Sequence, residues 1–94
     1  MIKSYKCKDT RKLREEGLAS KKLRPLAKVA MRKLDMLNAA PTIDALRVPP
    51  ANRLEALKGD RLGQYSIRIN DQFRVCFTWE NGHAYNVEIV DYHK

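Results

Sequence analysis

The final residues of the chain carry three neighbouring side chains that could handle a proton. Asp91, Tyr92 and His93 precede Lys94. An imidazole, whose ordinary pKa is about 6.5, can act as acid or base near neutral pH, and an adjacent carboxylate could orient it. The tyrosine could stack on a base or donate a hydrogen bond. These residue types indicate a candidate acid–base site, although a histidine beside a tyrosine at the end of a chain is more often simply part of a tail.

Basic side chains in the second half of the sequence could hold an anion beside that group. Lys58 precedes Gly59-Asp60, a pattern typical of a strand end that enters a turn, and Arg61 follows in the same segment. A cation at such a turn could reach over a sheet, although lysine is also an ordinary turn residue.

Metal binding and nucleophilic catalysis find no support in the sequence. The cysteines and histidines, Cys7, Cys76, His83 and His93, lack the spacing of metal ligands, so we expect neither a metal nor another cofactor. Cys76 is predicted to lie in the middle of a strand with no histidine in predictable reach, which argues against a cysteine nucleophile. Two cysteines without a CxxC spacing also argue against a secreted disulfide scaffold.

Three segments alternate apolar and polar side chains with the period of a strand. They are residues 64–69, 73–79 and 85–90. Such alternation predicts an antiparallel meander with one buried face. Because a slip of one residue would turn a whole strand over, apolar residues are expected to pair with apolar residues.

This rule sets the register of the first hairpin. The predicted pairs are Ile69 with Phe73, Ile67 with Val75, and Tyr65 with Phe77, which leaves residues 70–72 as the loop. Arg68 then lies opposite Arg74, where like charges repel mildly. A phosphate held between the two guanidinium groups would offset that repulsion. The alternative is a pair of surface arginines that discourage aggregation.

The second hairpin brings the C-terminal residues to the same sheet. Its predicted pairs are Trp79 with Tyr85, Phe77 with Val87, and Val75 with Ile89. Tyr92 then lies one diagonal step from Arg74, so the polar face gathers Arg68, Arg74 and Tyr92. Asp91 lies on the opposite face unless the last strand bulges or ends at Val90.

The first half of the sequence predicts one strand and two helices that cover the buried face of the sheet. Residues 2–8 alternate loosely and predict a strand; Asp9 is the expected N-cap of a short helix that Gly17 ends. A second helix has Pro25 in its first turn and ends before Pro41. A short helical turn over residues 42–46 and an extended connector at residues 49–50 follow. The predicted architecture is α+β.

The net charge of +8 is concentrated in this first half. Residues 1–36 contain 12 basic and 4 acidic side chains, whereas residues 37–94 contain seven of each. The exposed side of the second helix carries Arg24, Lys28 and Arg32 at four-residue steps, here named the basic ridge. It indicates either a polyanionic or acidic partner or simply a solvated helix face.

The length of 94 residues predicts a single domain over residues 1–94. No apolar run approaches the roughly 18 residues of a membrane span, and the start of the chain has no apolar signal segment. We therefore expect a cytoplasmic protein with no membrane partner.

The ordered motifs resemble those of a known family. They are Leu57-Lys58-Gly59-Asp60, residues 64–70, residues 73–77 and Asp91-Tyr92-His93, with the opening residues 1–4 and the helix end at residues 37–40. Together these segments are similar to the HigB-like toxins of the RelE/ParE superfamily, which belong to bacterial type II toxin–antitoxin systems. As an ordered set they are specific, although each one alone is not.

This resemblance implies a microbial ribonuclease-like fold that cleaves mRNA in the ribosomal A site by metal-free attack of a ribose 2′-OH. It implies that Lys58, Arg74, Asp91, Tyr92 and His93 form the functional region. His93 would be the principal acid or base with Asp91 as its orienting partner, Lys58 and Arg74 would stabilise the phosphate, and Tyr92 would stack on or position the nucleotide. Where some relatives carry a histidine before Lys-Gly, this chain has Glu55. A glutamate could still serve as a base, although its charge is unfavourable beside a phosphate.

The resemblance also implies partners. They are a helix-turn-helix, HigA-like antitoxin from the adjacent gene, the ribosome with its mRNA, and operator DNA reached only through the antitoxin. Arg24, Lys28, Arg32, Arg61 and Arg68 are the expected contacts to RNA or phosphate. Two alternatives remain open from the sequence. One is a ParE-like toxin that poisons DNA gyrase without cleaving anything, since one fold can serve both purposes. The other is a basic RNA-binding protein without catalysis.

Overall fold

The computed structural model describes residues 1–92. Its opening segment, predicted to be a strand, differs from that prediction. It runs parallel to the last strand and forms two isolated β-bridges with it, Ile2 with Ala84 and Tyr5 with Val87, instead of a continuous ladder. The predicted N-terminal strand over residues 2–8 is therefore wrong. Asn86 lies between the two bridged positions with a φ of 54°. This left-handed residue interrupts the edge that a continuous parallel ladder would need.

Two helices follow, and glycine and proline mark their ends as predicted. Helix α1 spans Lys8–Glu16 and ends at Gly17, which has a φ of 69°. The predicted cap at Asp9 is wrong, because the Cys7 carbonyl already accepts from the Arg11 N–H at 3.1 Å and the helix starts earlier. Asp9 instead lies in the first turn, where a carboxylate suits the helix dipole.

Helix α2 spans Ala27–Ala39 and continues a 3-10 turn that contains Pro25. The next helical turn, Ile43–Arg47, forms where one was predicted. The prediction of an extended connector at residues 49–50 is wrong for Pro50. Pro49 is extended, but Pro50 begins a 3-10 helix over Pro50–Asn52. The fixed φ of proline suits the first position of a helical turn, and the Asn52 N–H closes that turn on the Pro49 carbonyl at 2.9 Å.

The second half of the chain forms a four-stranded antiparallel sheet in the order β1-β2-β3-β4. The strands are β1 Glu55–Ala56, β2 Tyr65–Arg68, β3 Phe73–Glu80 and β4 His83–Asp91. The first hairpin has the predicted register, with Ile67 opposite Val75 and Arg68 opposite Arg74.

The second hairpin keeps its predicted register at only one end. Val75 pairs with Ile89, but Trp79 pairs with Ala84 rather than with Tyr85. An Asn81-Gly82 turn with both φ angles positive sets the register at the turn. The two registers meet at an irregularity between Cys76 and Thr78, where β4 supplies one extra residue beside the left-handed Asn86. The predicted pair of Trp79 with Tyr85 is therefore wrong, and the predicted pair of Phe77 with Val87 falls at the irregularity, where the register gives Phe77 no partner on β4.

Both helices pack on one face of the sheet, α1 against β4 and α2 against β3 and β4. The largest side chains sealed between these layers are Phe77, Leu34, Leu37, Leu46, Ile67, Val75 and Val87. The hydroxyl of Thr10 also accepts from the Ile89 N–H at 3.0 Å and so fixes α1 on β4. The α+β architecture is confirmed, and the other face of the sheet is left for polar side chains. Within residues 1–92, no helix is long and apolar enough to cross a membrane.

Candidate functional site on the open face of the sheet

One row of side chains crosses all four strands on the face opposite the helices. The paired positions are Glu55, Ser66, Cys76 and Glu88. The two central members, Ser66 and Cys76, are fully buried although they face away from α1 and α2. The Ser66 hydroxyl has no hydrogen-bond partner among the described residues. This row of polar side chains forms the floor of the candidate site.

The guanidinium group of Arg74 lies above this floor and contacts three neighbouring groups. Its Nη2 donates to the carbonyl of Arg53 at 2.7 Å, and its Nη1 lies 3.9 Å from Oε1 of Glu55. The guanidinium group lies 5.7 Å from the centroid of the Tyr92 ring, which is a cation–π contact. Its Nε is buried with no partner among residues 1–92. Arg74 therefore has a fixed orientation and an unused donor.

Tyr92 joins the C-terminal segment to the floor of the site. Its hydroxyl lies 3.8 Å from Sγ of Cys76, and its N–H donates to the Gln72 carbonyl at 2.6 Å. Burial, followed by the Cys76 neighbour, raises the pKa of Tyr92. Burial also raises the pKa of the Cys76 thiol. Both groups therefore remain protonated at neutral pH, which suits a hydrogen-bond donor and not a thiolate nucleophile.

A second ion pair lies beside Cys76 on the same face. Arg61 donates to Gln64 at 3.0 Å and to Glu88 at 3.1 Å, and Lys6 lies 3.6 Å from the same Glu88 carboxylate. The hydrogen bond with Glu88 raises the pKa of Arg61. The structure thus brings the predicted Arg61 to the face. Glu88 is a site residue that was not predicted from the sequence, although its position opposite Cys76 follows from the predicted register.

Arg68 lies opposite Arg74 as predicted, but the two guanidinium groups have different partners. Arg68 forms an ion pair with Asp71 in the hairpin loop, whereas Arg74 bonds to Arg53. A phosphate bridge between these two arginines stays a prediction.

Two further predicted catalytic residues, Lys58 and Asp91, are not gathered at this site. Lys58 is exposed at the start of a short 3-10 turn, Gly59–Arg61. Asp91 pairs with Phe73 and therefore lies on the face opposite Tyr92, as the parity argument predicted. Its carboxylate accepts from Nε2 of Gln72 at 3.1 Å, beside a cavity of about 320 Å³. His93 lies outside the described residues.

The basic ridge is exposed along its length. Arg24, Lys28 and Arg32 are all solvent-accessible, the first in the turn before α2 and the others on α2 itself. The ridge therefore belongs to the helix layer, whereas Arg74 and Tyr92 belong to the open sheet face. Within residues 1–92, no group of three or more histidine, cysteine, aspartate or glutamate side chains could hold a metal ion.

Comparison with known proteins places this geometry in a family. Residues 3–93 match the family described as the RelE-like toxin HigB of type II toxin–antitoxin systems. Toxin HigB-1 of Vibrio cholerae is 48% identical over 63 residues, or 67% of this chain and 65% of its own length. An uncharacterised protein of Haemophilus influenzae is 47% identical over 62 residues, 66% of this chain. The chain spans 65% and 61% of the lengths of these two relatives.

A third relative matches over nearly the whole chain. The Endoribonuclease HigB of Proteus vulgaris is 38% identical over 97 aligned positions, which cover 99% of this chain and 100% of the relative. Among solved structures, the YoeB–YefM complex from Staphylococcus aureus has a chain that superposes with a TM-score of 0.62 at 18% identity, covering 100% of this chain and 99% of that one. This likeness shows the fold, and the sequence matches confirm the resemblance carried by the motifs. The chain belongs to the HigB-like family of RelE-like toxins from type II toxin–antitoxin systems.

Proposed function

We propose that this protein is a ribosome-dependent endoribonuclease that arrests growth by cutting mRNA during translation. The observation that carries the proposal is the contact between Arg74 and Tyr92 on the open sheet face. A guanidinium group suits a phosphate, and an aromatic ring suits an unstacked base. The Proteus vulgaris relative is named an endoribonuclease, which supports the same activity here.

The proposed reaction needs no group beyond protein side chains and RNA. The ribose 2′-oxygen attacks the adjacent phosphorus and the bond to the 5′-oxygen breaks, which leaves a 2′,3′-cyclic phosphate and a 5′-hydroxyl. A base takes the 2′-OH proton, an acid returns a proton to the leaving 5′-oxygen, and cations stabilise the charge that develops on the phosphate.

The roles follow from the chemistry of each side chain. His93 is assigned the acid–base step and Asp91 its orientation, while Arg74 and Lys58 stabilise the phosphate. Tyr92 positions the nucleotide. Its raised pKa keeps the hydroxyl protonated, and its ring already stacks on Arg74.

The partners are assigned to different surfaces. The basic ridge and the arginines of the sheet face, Arg61 and Arg68, are assigned to ribosomal RNA or mRNA phosphates. A helix-turn-helix antitoxin from the adjacent gene neutralises the toxin and carries the complex to operator DNA. An acidic surface on that antitoxin would complement the excess positive charge of residues 1–36.

Two substitutions test the activity. Arg74→Ala and His93→Gln are each expected to abolish growth arrest and to lower mRNA cleavage by on the order of 100-fold or more, the usual loss when one transition-state contact is removed. Cleavage is read by primer extension on cellular mRNA after induction, and circular dichroism checks that each variant folds.

Arg47→Ala is the matched control, since Arg47 is a surface arginine that forms an ion pair with Asp44 at 3.0 Å and contacts none of the residues of the candidate site described above. It should remain fully toxic. Full toxicity of both site variants would refute the assigned site. Toxicity without codon-associated cuts in mRNA would refute the nuclease and favour gyrase as the target.

A further inference from the structure

A buried lysine on α2 has no carboxylate partner among the described residues. Lys33 is 8% exposed, and its Nζ donates to Oδ1 of Asn52 at 2.6 Å. Burial, and then the charges of Arg32 and Arg68, lower the pKa of Lys33 from its ordinary value of 10.5. An ammonium group in this place costs free energy that an apolar side chain would not. The position of the lysine therefore calls for an explanation other than stability.

Asn52, the partner of Lys33, is fully buried and uses both ends of its amide. While Oδ1 accepts from Lys33, Nδ2 donates to the Leu46 carbonyl at 3.1 Å and lies 3.0 Å from Sδ of Met36. Its backbone N–H also donates to the Pro49 carbonyl at 2.9 Å. This one side chain thus ties the 3-10 helix Pro50–Asn52 to α2 and to the turn that precedes it.

The next residue, Arg53, is held in an unfavourable backbone conformation. Its φ of 47° and ψ of 54° are left-handed, which costs a residue with a side chain about 1–2 kcal/mol. In that conformation its carbonyl accepts from Nη2 of Arg74 at 2.7 Å. A single peptide unit therefore separates the buried Lys33–Asn52 pair from the acceptor that holds Arg74.

We infer that Lys33 and Asn52 are positioning residues for Arg74, because they fix the Asn52–Arg53 turn whose carbonyl holds the guanidinium group against Tyr92. Both side chains are buried, with Lys33 8% and Asn52 0% exposed, so their link to Arg74 runs through the Arg53 peptide. The inference rests on the proposed function for the role of Arg74, whereas the chain of contacts rests on geometry alone.

Lys33→Met tests this inference in the full 94-residue chain. Methionine is of similar length and removes the bond to Asn52, so the turn loses its hydrogen bond to Lys33 of α2 while the core stays filled. The first readout is the Arg74 Nε–Hε signal in a ¹⁵N–¹H spectrum, assigned by its loss in Arg74→Lys. We expect it to shift and broaden in Lys33→Met. The second is ribosome-dependent mRNA cleavage, in which kcat should fall at least about tenfold while KM changes less than about twofold, as expected when only transition-state contacts suffer.

Two controls separate positioning from general destabilisation and from loss of charge. Leu13→Val controls for destabilisation, because it makes a small cavity in the core beside α1. Lys8→Met controls for loss of charge, because it removes one exposed lysine from α1. Both should keep the native Arg74 signal. If Lys33→Met does not fold, the double variant Lys33→Met/Asn52→Leu takes its place, since it removes both buried polar side chains together. A folded variant with a native Arg74 signal, or with the same kcat as Leu13→Val, would overturn the inference. A wild-type chain that cleaves no RNA would instead refute the proposed function and leave the spectral test of positioning valid.

Discussion

Neutralising Glu55 should tighten the binding of phosphate at Arg74. The carboxylate lies 3.9 Å from Nη1 of Arg74 and is exposed to solvent, so it competes with any anion that approaches the guanidinium group. At this separation in water the Coulomb energy is about 1 kcal/mol, equivalent to about sixfold in affinity. Screening over a Debye length of about 8 Å at physiological ionic strength reduces the effect to about threefold. Glu55→Gln removes the charge and keeps the shape.

The assay measures binding apart from cleavage. A fluorescent single-stranded oligonucleotide with 2′-deoxyribose throughout has no 2′-OH and cannot be cut by the proposed reaction. Its affinity for the wild-type chain and for Glu55→Gln is measured by anisotropy at low and at physiological salt. We expect Glu55→Gln to bind about sixfold more tightly than wild type at low salt, from the Coulomb energy. At physiological salt we expect about threefold, because screening weakens that energy.

A matched control isolates the local effect. Asp44→Asn removes one carboxylate from another surface ion pair, the one with Arg47 at 3.0 Å, and so changes the net charge by the same amount. If it tightens binding as much as Glu55→Gln does, the effect is a general one of net charge and the reasoning about Arg74 is wrong. Unchanged or weaker binding by Glu55→Gln would also refute it. Because a glutamate could serve as a base, a loss of turnover in Glu55→Gln is compatible with tighter binding.

Two predictions concern stability. Folding lowers the pKa of Lys33 from 10.5, so at alkaline pH the unfolded chain binds more protons than the folded chain does. The free energy of unfolding therefore increases as the pH rises through the lowered pKa of Lys33. The increase levels off above pH 10.5. Urea unfolding of wild type and Lys33→Met across this range should show the difference growing in favour of wild type, and a constant difference would contradict the lowered pKa. Asn86→Ala should lower the free energy of unfolding by about 1 kcal/mol, because Asn86 is exposed with a φ of 54°, whereas Asn86→Gly should be nearly neutral. Equal losses in these two variants would show that the side chain, and not the backbone conformation, stabilises the bulge.

The sequence predicted the first hairpin and failed on part of the second for a definable reason. Alternation determines which face each residue takes, and it is uninterrupted along both paired segments of this hairpin, residues 65–68 and 74–77. In β4 a single left-handed residue, Asn86, adds one position without changing the composition of the strand. An asparagine alone does not identify a bulge, since it is also common in turns and on exposed strand faces. The same residue explains why the opening segment makes bridges instead of a strand.

The candidate site was predictable where it depended on sheet parity and not where it depended on loops. The shared face of Arg68, Arg74 and Tyr92 follows from register alone. The Arg53 carbonyl that holds Arg74 depends on a 3-10 turn whose conformation no periodic pattern encodes. Lys33 adjoins the apolar stripe of α2 in the sequence, and a lysine there is ordinarily assigned to the solvent side. Its burial is set by Asn52, 19 positions away.

The arginines of the open face are restrained, and this bears on how a substrate would reach them. Arg61 is bonded to Glu88, Arg68 to Asp71, and Arg74 to the Arg53 carbonyl near Glu55. Carboxylates beside each guanidinium group weaken the attraction of this face for a distant polyanion. The uncompensated charge lies instead in residues 1–36, which include the exposed basic ridge. If RNA is the substrate, long-range attraction and chemistry are therefore divided between two surfaces. Substitutions in the basic ridge should change the rate of association and its salt dependence. Substitutions at Arg74 should change turnover.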